Sequence, residues 1–383
     1  MNLALRSLAR CRPSLAWIPA LILASASLGA ARGDIAPRRL PRANLLVFRG
    51  AQGDLLPVRS ASDWLERRAE ILAGMQEIMG PLPGRSRRCP LDPQIEEEQD
   101  CGRYVRRRIH YASEPGSRVP AYLLIPKDAL EGRGPAPAVL ALHPTDMQHG
   151  HRVVVEKIRD SYRAYGHDLA ARGFVVVAPS YPLMAGYQPG LEALGYRSGT
   201  MKAIWDNIRA LDLLDSMPIV QPGGYGAIGH SLGGHNALFT AVFDPRIRVV
   251  ISSCGLDSFC DYYGGSPDNW QLERGWCQTR YMPRLAQYRG RLAEIPFDFH
   301  EIIGTLAPRA VLISAPVRDG NFRWESVDEI AAAAAPVFEL HGAGSNLRVL
   351  HPDCAHDFAE PERRQAYELL ERALSRPAQV TRP

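Results

Sequence analysis

Short apolar runs alternate with longer amphipathic ones over most of the chain. Residues 138–142, 174–178, 249–253, 310–314 and 347–350 are strand-length and largely apolar, as strands buried on both faces are. A Gly-rich run over 224–229 adds another. Between them apolar positions recur at helical spacing. Trp64, Ile71, Leu72, Met75 and Ile78 predict a helix over 64–79, ended by Pro81 and Pro83. Met201, Ile204, Ile208, Leu211 and Leu214 give one apolar face to a helix over 200–217. Further helices are predicted over 153–173, 231–243, 324–340 and 361–374. This alternation predicts an α/β protein with a mostly parallel central sheet and helices on both faces. Residues 104–113 and 119–126, around the turn Glu114-Pro115-Gly116-Ser117, predict an antiparallel edge. The polar stretch 85–101 reads as a loop clipped by cysteines. Residues 257–300, rich in Trp, Tyr, Gly and Arg, read as an inserted cap region over one end of the sheet.

The beginning of the chain follows another pattern. Arg6, Arg10 and Arg12 precede an apolar stretch over 15–28 that contains Pro19. Ala24-Ser25-Ala26 and Gly29-Ala30-Ala31 offer the small residues that a signal peptidase cuts after. The stretch falls short of the roughly 20 residues of a spanning helix. The organisation expected is a signal peptide over 1–31, an N-terminal extension with one helix over 32–100, and a main domain over 101–377. Such a protein is secreted or periplasmic. Without Cys11, six cysteines remain, an even set that suits an oxidising compartment. Nearness along the chain suggests the pairs Cys89–Cys101 and Cys260–Cys277, leaving Cys254 with Cys354. Composition alters this picture little: 383 residues, 46% hydrophobic and 22% charged, with a formal net charge of +4, make an ordinary globular chain with core to spare. No basic, aromatic-interleaved stripe points to a nucleic-acid partner.

The densest chemistry lies at Gly229-His230-Ser231-Leu232-Gly233. G-x-S-x-G between a strand and a helix is a sharp turn that lifts a serine hydroxyl above a sheet, with glycines where a Cβ would strike its neighbours. A serine hydroxyl is a weak nucleophile and needs a positioned base. With this turn the acid and then the histidine follow in chain order, each in a loop after a later strand. Asp319 follows the strand at 310–314 and His356 the strand at 347–350. Ser231, His356 and Asp319 are therefore the candidate nucleophile, base and acid. Asp298, in the insertion, is the alternative acid. His351, at a strand end, reads as structural. Asp353 and Asp357 lie too near His356 in the chain to orient it, and Asp357 reads as a helix N-cap. His230 and His235 flank Ser231 but point away from its hydroxyl. A developing oxyanion needs two N–H donors. The Leu232 amide supplies one; Pro144 has no N–H, so the second falls to Thr145, in a loop that His143 braces.

With these residues assembled, the chain resembles the α/β-hydrolase superfamily over about residues 100–375. Within it the nearest likeness is to dienelactone hydrolase-like and acetyl xylan esterase-like serine esterases, including relatives of the glucuronoyl esterases. That likeness is carried by Ile295-Pro296-Phe297-Asp298-Phe299-His300, by Trp205-Asp206-Asn207-Ile208-Arg209-Ala210, and by Cys354-Ala355-His356-Asp357-Phe358. The resemblance implies an α/β-hydrolase fold and ester hydrolysis by a Ser-His-Asp triad, without a cofactor. Serine at 231 departs from the cysteine of dienelactone hydrolases proper and favours ordinary esters. Pro144 departs from the usual His-Gly oxyanion loop and puts in doubt which amide completes the hole. Carbohydrate-linked esters are plausible substrates, with His143, Trp276, Tyr281 and Trp324 as candidate binding residues. Trp270 is a further aromatic able to stack on a sugar, although packing beneath the insertion explains each aromatic equally well.

Two other readings use the same residues. One is a peptidase of the prolyl-oligopeptidase type, against which the N-terminal segment is too short for a β-propeller gate. The other is a catalytically silent binding protein, against which stands the complete candidate triad. His149-Gly150-His151 lacks the carboxylate or cysteine company of a metal site, and no dinucleotide fingerprint or P-loop is present.

Overall fold

A computed structural model describes residues 39–158 and 163–374, so the expected signal peptide lies outside the described residues. Strands β1 (Val47–Arg49) and β2 (Leu55–Pro57) form a small antiparallel ribbon. Helix α1 (Ala61–Met79) begins before its apolar pattern does, because Ser60 and Asp63 form a capping box. It buries Trp64, Ile71, Met75 and Ile78.

Strands β3 (Gln94–Asp100), β4 (Tyr104–Glu114) and β5 (Ser117–Pro126) then run antiparallel. β3 corrects the loop expected over 85–101. All its residues are exposed, so it carries no apolar signal; cross-strand ion pairs such as Glu98–Arg107, at 2.7 Å, flank its ladder. Extended at roughly 3.3 Å per residue, it carries Cys101 away from Cys89. Cys89, Cys101, Cys254, Cys260, Cys277 and Cys354 are all free thiols. The expected pairs are therefore absent among the described residues. Cys260 is exposed while Cys277 is buried, and the Cys254 thiol donates to the Asp357 carbonyl at 3.3 Å.

After the helical turn α2 (Lys127–Leu130) strands and helices alternate: β6 (Ala138–Leu142), α3 (Tyr165–Ala171), β7 (Val175–Pro179), α4 (Gly199–Asp215), β8 (Tyr225–His230), α5 (Leu232–Phe243) and β9 (Ile247–Ser253). The chain closes with α6 (Phe299–Thr305), β10 (Ala310–Ser314), α7 (Trp324–Leu340), β11 (Leu347–Leu350) and α8 (Glu360–Leu374). Among the described residues the main sheet has nine strands, in the order β11-β10-β9-β8-β6-β7-β5-β4-β3. It is parallel from β11 to β7 and antiparallel beyond.

Of the helix expected over 153–173, the described residues show helix over Tyr165–Ala171, while Gly150–Val154 makes a 3-10 turn. Val153, Val154 and Val155 are poor helix formers in succession. Gly166 also packs so closely on the Val154 carbonyl that a Cβ would lie 2.7 Å from its oxygen. Helix α4 departs in the other direction, being buried on nearly every side. Its buried Lys202 lies 3.2 Å from Glu114 Oε1 and 2.5 Å from Asp206 Oδ1. Charges stay buried at tolerable cost only when paired in this way.

Between β9 and α6 the insertion is built from five short 3-10 turns. The stretch before α1 is pinned beside it. Arg39 reaches Glu301 and Arg42 reaches Asp298, each at 2.9 Å, and Arg67 of α1 also reaches Glu301, at 3.3 Å. Asp298 is fully buried, caps α6, and accepts from Ser258 Oγ at 3.0 Å and Phe259 N at 3.1 Å. Its oxygens are spent on structure, which removes it as the alternative acid.

Candidate active site

β8 leads directly into a residue whose backbone few side chains tolerate. Ser231 has φ 54° and ψ −123°, and such strain persists only where the surroundings impose it. Here close packing imposes it. A Cβ on Gly229 would lie 2.1 Å from the Gly233 carbonyl carbon, and one on Gly233 would lie 2.0 Å from the Leu142 oxygen. The Ser231 amide donates to the Ser253 carbonyl of β9 at 2.7 Å. The turn therefore holds its hydroxyl above the carboxyl ends of the parallel strands.

Two later loops converge on that hydroxyl. His356, after β11, places Nε2 2.9 Å from Ser231 Oγ. Its Nδ1 lies 2.9 Å from both carboxylate oxygens of Asp319, after β10. Asp319 also accepts from the amides of Asn321 at 2.7 Å and Phe322 at 3.3 Å. Burial pushes the Asp319 carboxyl up, but the bond from His356 and those amides outweigh it and hold the group below the ordinary carboxylate range. An ionised Asp319 fixes the hydrogen of His356 on Nδ1, leaving Nε2 to accept from Ser231. Asp257 is close enough to feel the Asp319 charge. Burial pushes it up to about 8, against a bond from the Arg323 amide, so near neutral pH it is a carboxylic acid and does not compete as the anion.

The cavity over Ser231 measures about 310 Å³ and is lined by Leu232, Thr145, His356, Trp276 and Tyr281 among others. That volume is at the small end for ligand pockets. Trp276 and Tyr281 thus lie where substrate-binding residues are expected, whereas Trp324 and His143 do not. Trp324 packs edge-on against His351, with ring centroids 5.2 Å apart. His143 stands behind the loop. Its Nδ1–H donates to the Pro144 carbonyl at 2.7 Å, its Nε2 accepts from the Tyr181 amide at 2.9 Å, and burial pushes it down to about 4. It braces, and touches no substrate space.

The other histidines sort themselves by their partners. His351 bonds to the Ala315 carbonyl and to Asp328, each at 2.9 Å. His230 is buried, with Nδ1 3.1 Å from Ser253 Oγ. His235 lies fully buried between Phe239 and Trp276, with ring centroids at 3.9 and 4.5 Å. Asp357 accepts from the adjacent Phe358 amide at 2.7 Å, and α8 starts only at Glu360, so it is not the helix cap that was expected. Tyr262, Phe322, Asn321, Gln278 and Arg163 also line the cavity. Phe322 and Asn321 follow Asp319 closely, a placement that sequence could have flagged. Arg163 fell inside the stretch misread as helix, and nothing in the insertion's pattern singles out Gln278 or Tyr262.

No helix among the described residues is long and apolar enough to cross a membrane. A family model described as glucuronyl esterase of fungi matches residues 194–342. The protein YtaP of Bacillus subtilis (strain 168), named as a hydrolase, is 27% identical over 318 residues, 80% of this chain and 100% of its own. The 4-O-methyl-glucuronoyl methylesterase 1 of Sodiomyces alcalophilus is 27% identical over 170 residues, 40% of this chain and 33% of its own. A glucuronoyl esterase from Solibacter usitatus superposes with a TM-score of 0.68 at 21% identity, covering 87% of this chain and 97% of that one. At that identity the superposition speaks for the fold. The sheet order and the helices around it are those of the α/β-hydrolase fold, and over residues 194–342 the chain is similar to glucuronoyl esterases.

Proposed function

We propose that the protein hydrolyses carboxylic esters carried on carbohydrates, uronate esters foremost, through an acyl-enzyme on Ser231. The observation that carries the reading is the line of bonds from Ser231 Oγ to His356 Nε2 and from His356 Nδ1 to Asp319, each 2.9 Å. In the first half-reaction Oγ bonds to the ester carbonyl carbon and its proton passes to Nε2. The C=O π pair moves onto oxygen, facing the Leu232 and Thr145 amides. Collapse expels the alcohol, which takes the proton from Nε2, and Asp319 stabilises the imidazolium in between. Water then repeats the sequence and releases the carboxylic acid. The uronate assignment leans on the glucuronyl esterase match and on an aromatic cavity wall suited to the faces of sugar rings. The signal-like first 31 residues support a site of action outside the cytoplasm.

Ser231→Ala is the test. The purified variant should keep its melting temperature, lose turnover of a methyl glucuronate ester and of an aryl acetate, and fail to react with a fluorophosphonate probe. Turnover retained by this variant overturns the proposal. An active wild type that cleaves aryl acetate but no sugar or uronate ester overturns the substrate class alone.

A further inference from the structure

The loop expected to supply the second oxyanion donor is anchored on either side of Thr145: the Leu142 carbonyl accepts from the Tyr165 hydroxyl, and Asp146 accepts from the Gly150 amide through its carbonyl at 3.2 Å and from the Gln148 and His149 amides through Oδ1 at 2.9 and 2.7 Å. Thr145 is exposed at the cavity mouth, directly after Pro144. Among the described residues its amide donates to nothing, so that N–H is available to a substrate oxygen but is not aimed by any bond of its own. At Pro144 and Thr145 themselves, side chains do the holding. From behind, His143 fixes the Pro144 carbonyl, as described above. From the front, the Thr145 and Tyr281 hydroxyls bond to each other at 3.0 Å.

Tyr281 comes from the insertion, 136 residues along the chain. It is 7% exposed and packs edge-on to Tyr181, with ring centroids 6.2 Å apart. Its carbonyl accepts from the Thr200 amide at 3.3 Å, and the nearby Thr279 carbonyl accepts from the Gly199 amide at 3.0 Å. Tyr181 in turn donates its amide to His143 at 2.9 Å. The tyrosine is thus fixed by the start of α4 and by the same residue that holds His143, and only its hydroxyl reaches the loop.

We infer that Tyr281 positions the Thr145 amide in the oxyanion hole, so that the insertion forms part of the catalytic apparatus as well as the cavity wall. The inference rests on the ester-hydrolysis reading above, in which the carbonyl oxygen gains its charge beside Leu232 and Thr145. Removing an oxyanion donor outright costs about 10²–10³-fold in kcat. Misplacing a group by about 1 Å costs on the order of 10²-fold. A loosened Thr145 still finds the right direction part of the time, so a loss of about 10- to 100-fold is expected.

The test uses Tyr281→Phe, Thr145→Val, their combination, and Thr145→Ser in the full chain. Valine keeps the branched shape and the amide and loses only the hydroxyl. Each single change should lower kcat on a methyl glucuronate ester by the same 10- to 100-fold, with KM moving less than about 3-fold. The double variant should lose no more than either single one, because both break the same bond. Thr145→Ser, which keeps a hydroxyl for Tyr281, should recover most of the kcat that Thr145→Val loses. A phosphonate that labels Ser231 places its oxygen in the hole, and its labelling rate should fall in step with kcat. Losses that multiply, a loss confined to KM, or an unchanged kcat each overturn the inference. Ser231→Ala separates the two levels. If that variant is inactive while Tyr281→Phe and Thr145→Val are fully active, only the positioning role fails; if it is active, the reading beneath it fails.

Discussion

His235 makes a clean pH-dependent cost that one substitution should remove. The ring is fully buried between Phe239 and Trp276, and neither nitrogen has a hydrogen-bond partner among the described residues. Burial alone pushes it down to about 3. An unfolded histidine titrates near ~6.5. The folded value therefore lies below the unfolded one. The neutral ring's share of stability is fully present above about pH 6.5 and is lost as pH falls toward the folded value, because the unfolded chain binds the proton first. Taking both values, the loss amounts to about 2 kcal/mol at pH 5 and about 3 kcal/mol at pH 4. His235→Phe keeps a ring in the stack and removes the titration. Urea unfolding of both proteins at pH 8 and pH 5 measures the difference. Wild type should lose about 2 kcal/mol more than the variant between the two conditions. At pH 8 the variant should be at least as stable, since it no longer buries two unpaired nitrogens. Other groups, His143 at about 4 and Asp257 at about 8 included, are present in both proteins and cancel in the comparison. Stability lost in parallel by the two proteins would refute the argument.

The remaining predictions concern the carboxyls. Asp319→Asn should leave the fold intact and lower kcat by about 10⁴-fold, because an amide cannot hold the hydrogen of His356 on Nδ1 as a carboxylate does; a steady-state loss under tenfold would contradict the assigned role. Asp257→Asn replaces a group already protonated at pH 7. Its folded value lies above the unfolded one, so the wild type loses stability as pH rises from about 4 to about 8 and the variant does not. Unfolding at pH 5 and pH 8 should show the wild type losing roughly 4 kcal/mol relative to the variant, and no relative loss would mean that Asp257 is ionised throughout.

What was legible in the sequence follows from what leaves a local signal. β10, β11 and α7 sit on the predicted residues because a largely apolar run and a 3.6-residue period do not depend on distant partners. Ser231, Asp319 and His356 were legible together because strand ends fix where a loop meets the sheet. The failures share a cause in tertiary context. β3 has no buried face, so its strand character comes wholly from β4. Val153 and Val154 sit in a 3-10 turn and not in the expected helix, with Gly166 packed against the Val154 carbonyl. Trp324 and Trp276 look alike as aromatic residues near loops; only packing sends one against His351 and the other into the cavity wall. The cysteine pairs were guessed from chain distance, which an extended strand makes a poor measure of separation in space.

The exposed strand β3 also sets how the molecule meets its medium. Pairs such as Glu98–Arg107 flank it where its neighbours have buried apolar faces, and screening by salt weakens such pairs. The parallel centre of the sheet is packed from apolar side chains that ionic strength leaves alone. The sheet therefore has a soft margin and a stiff middle, and amide hydrogens should exchange at β3 long before they do at β8. Four strands, β4, β5, β7 and β6, stand between the two. Fraying brought on by the surroundings is thereby spent at the rim, and the strained turn that carries Ser231 is insulated from it.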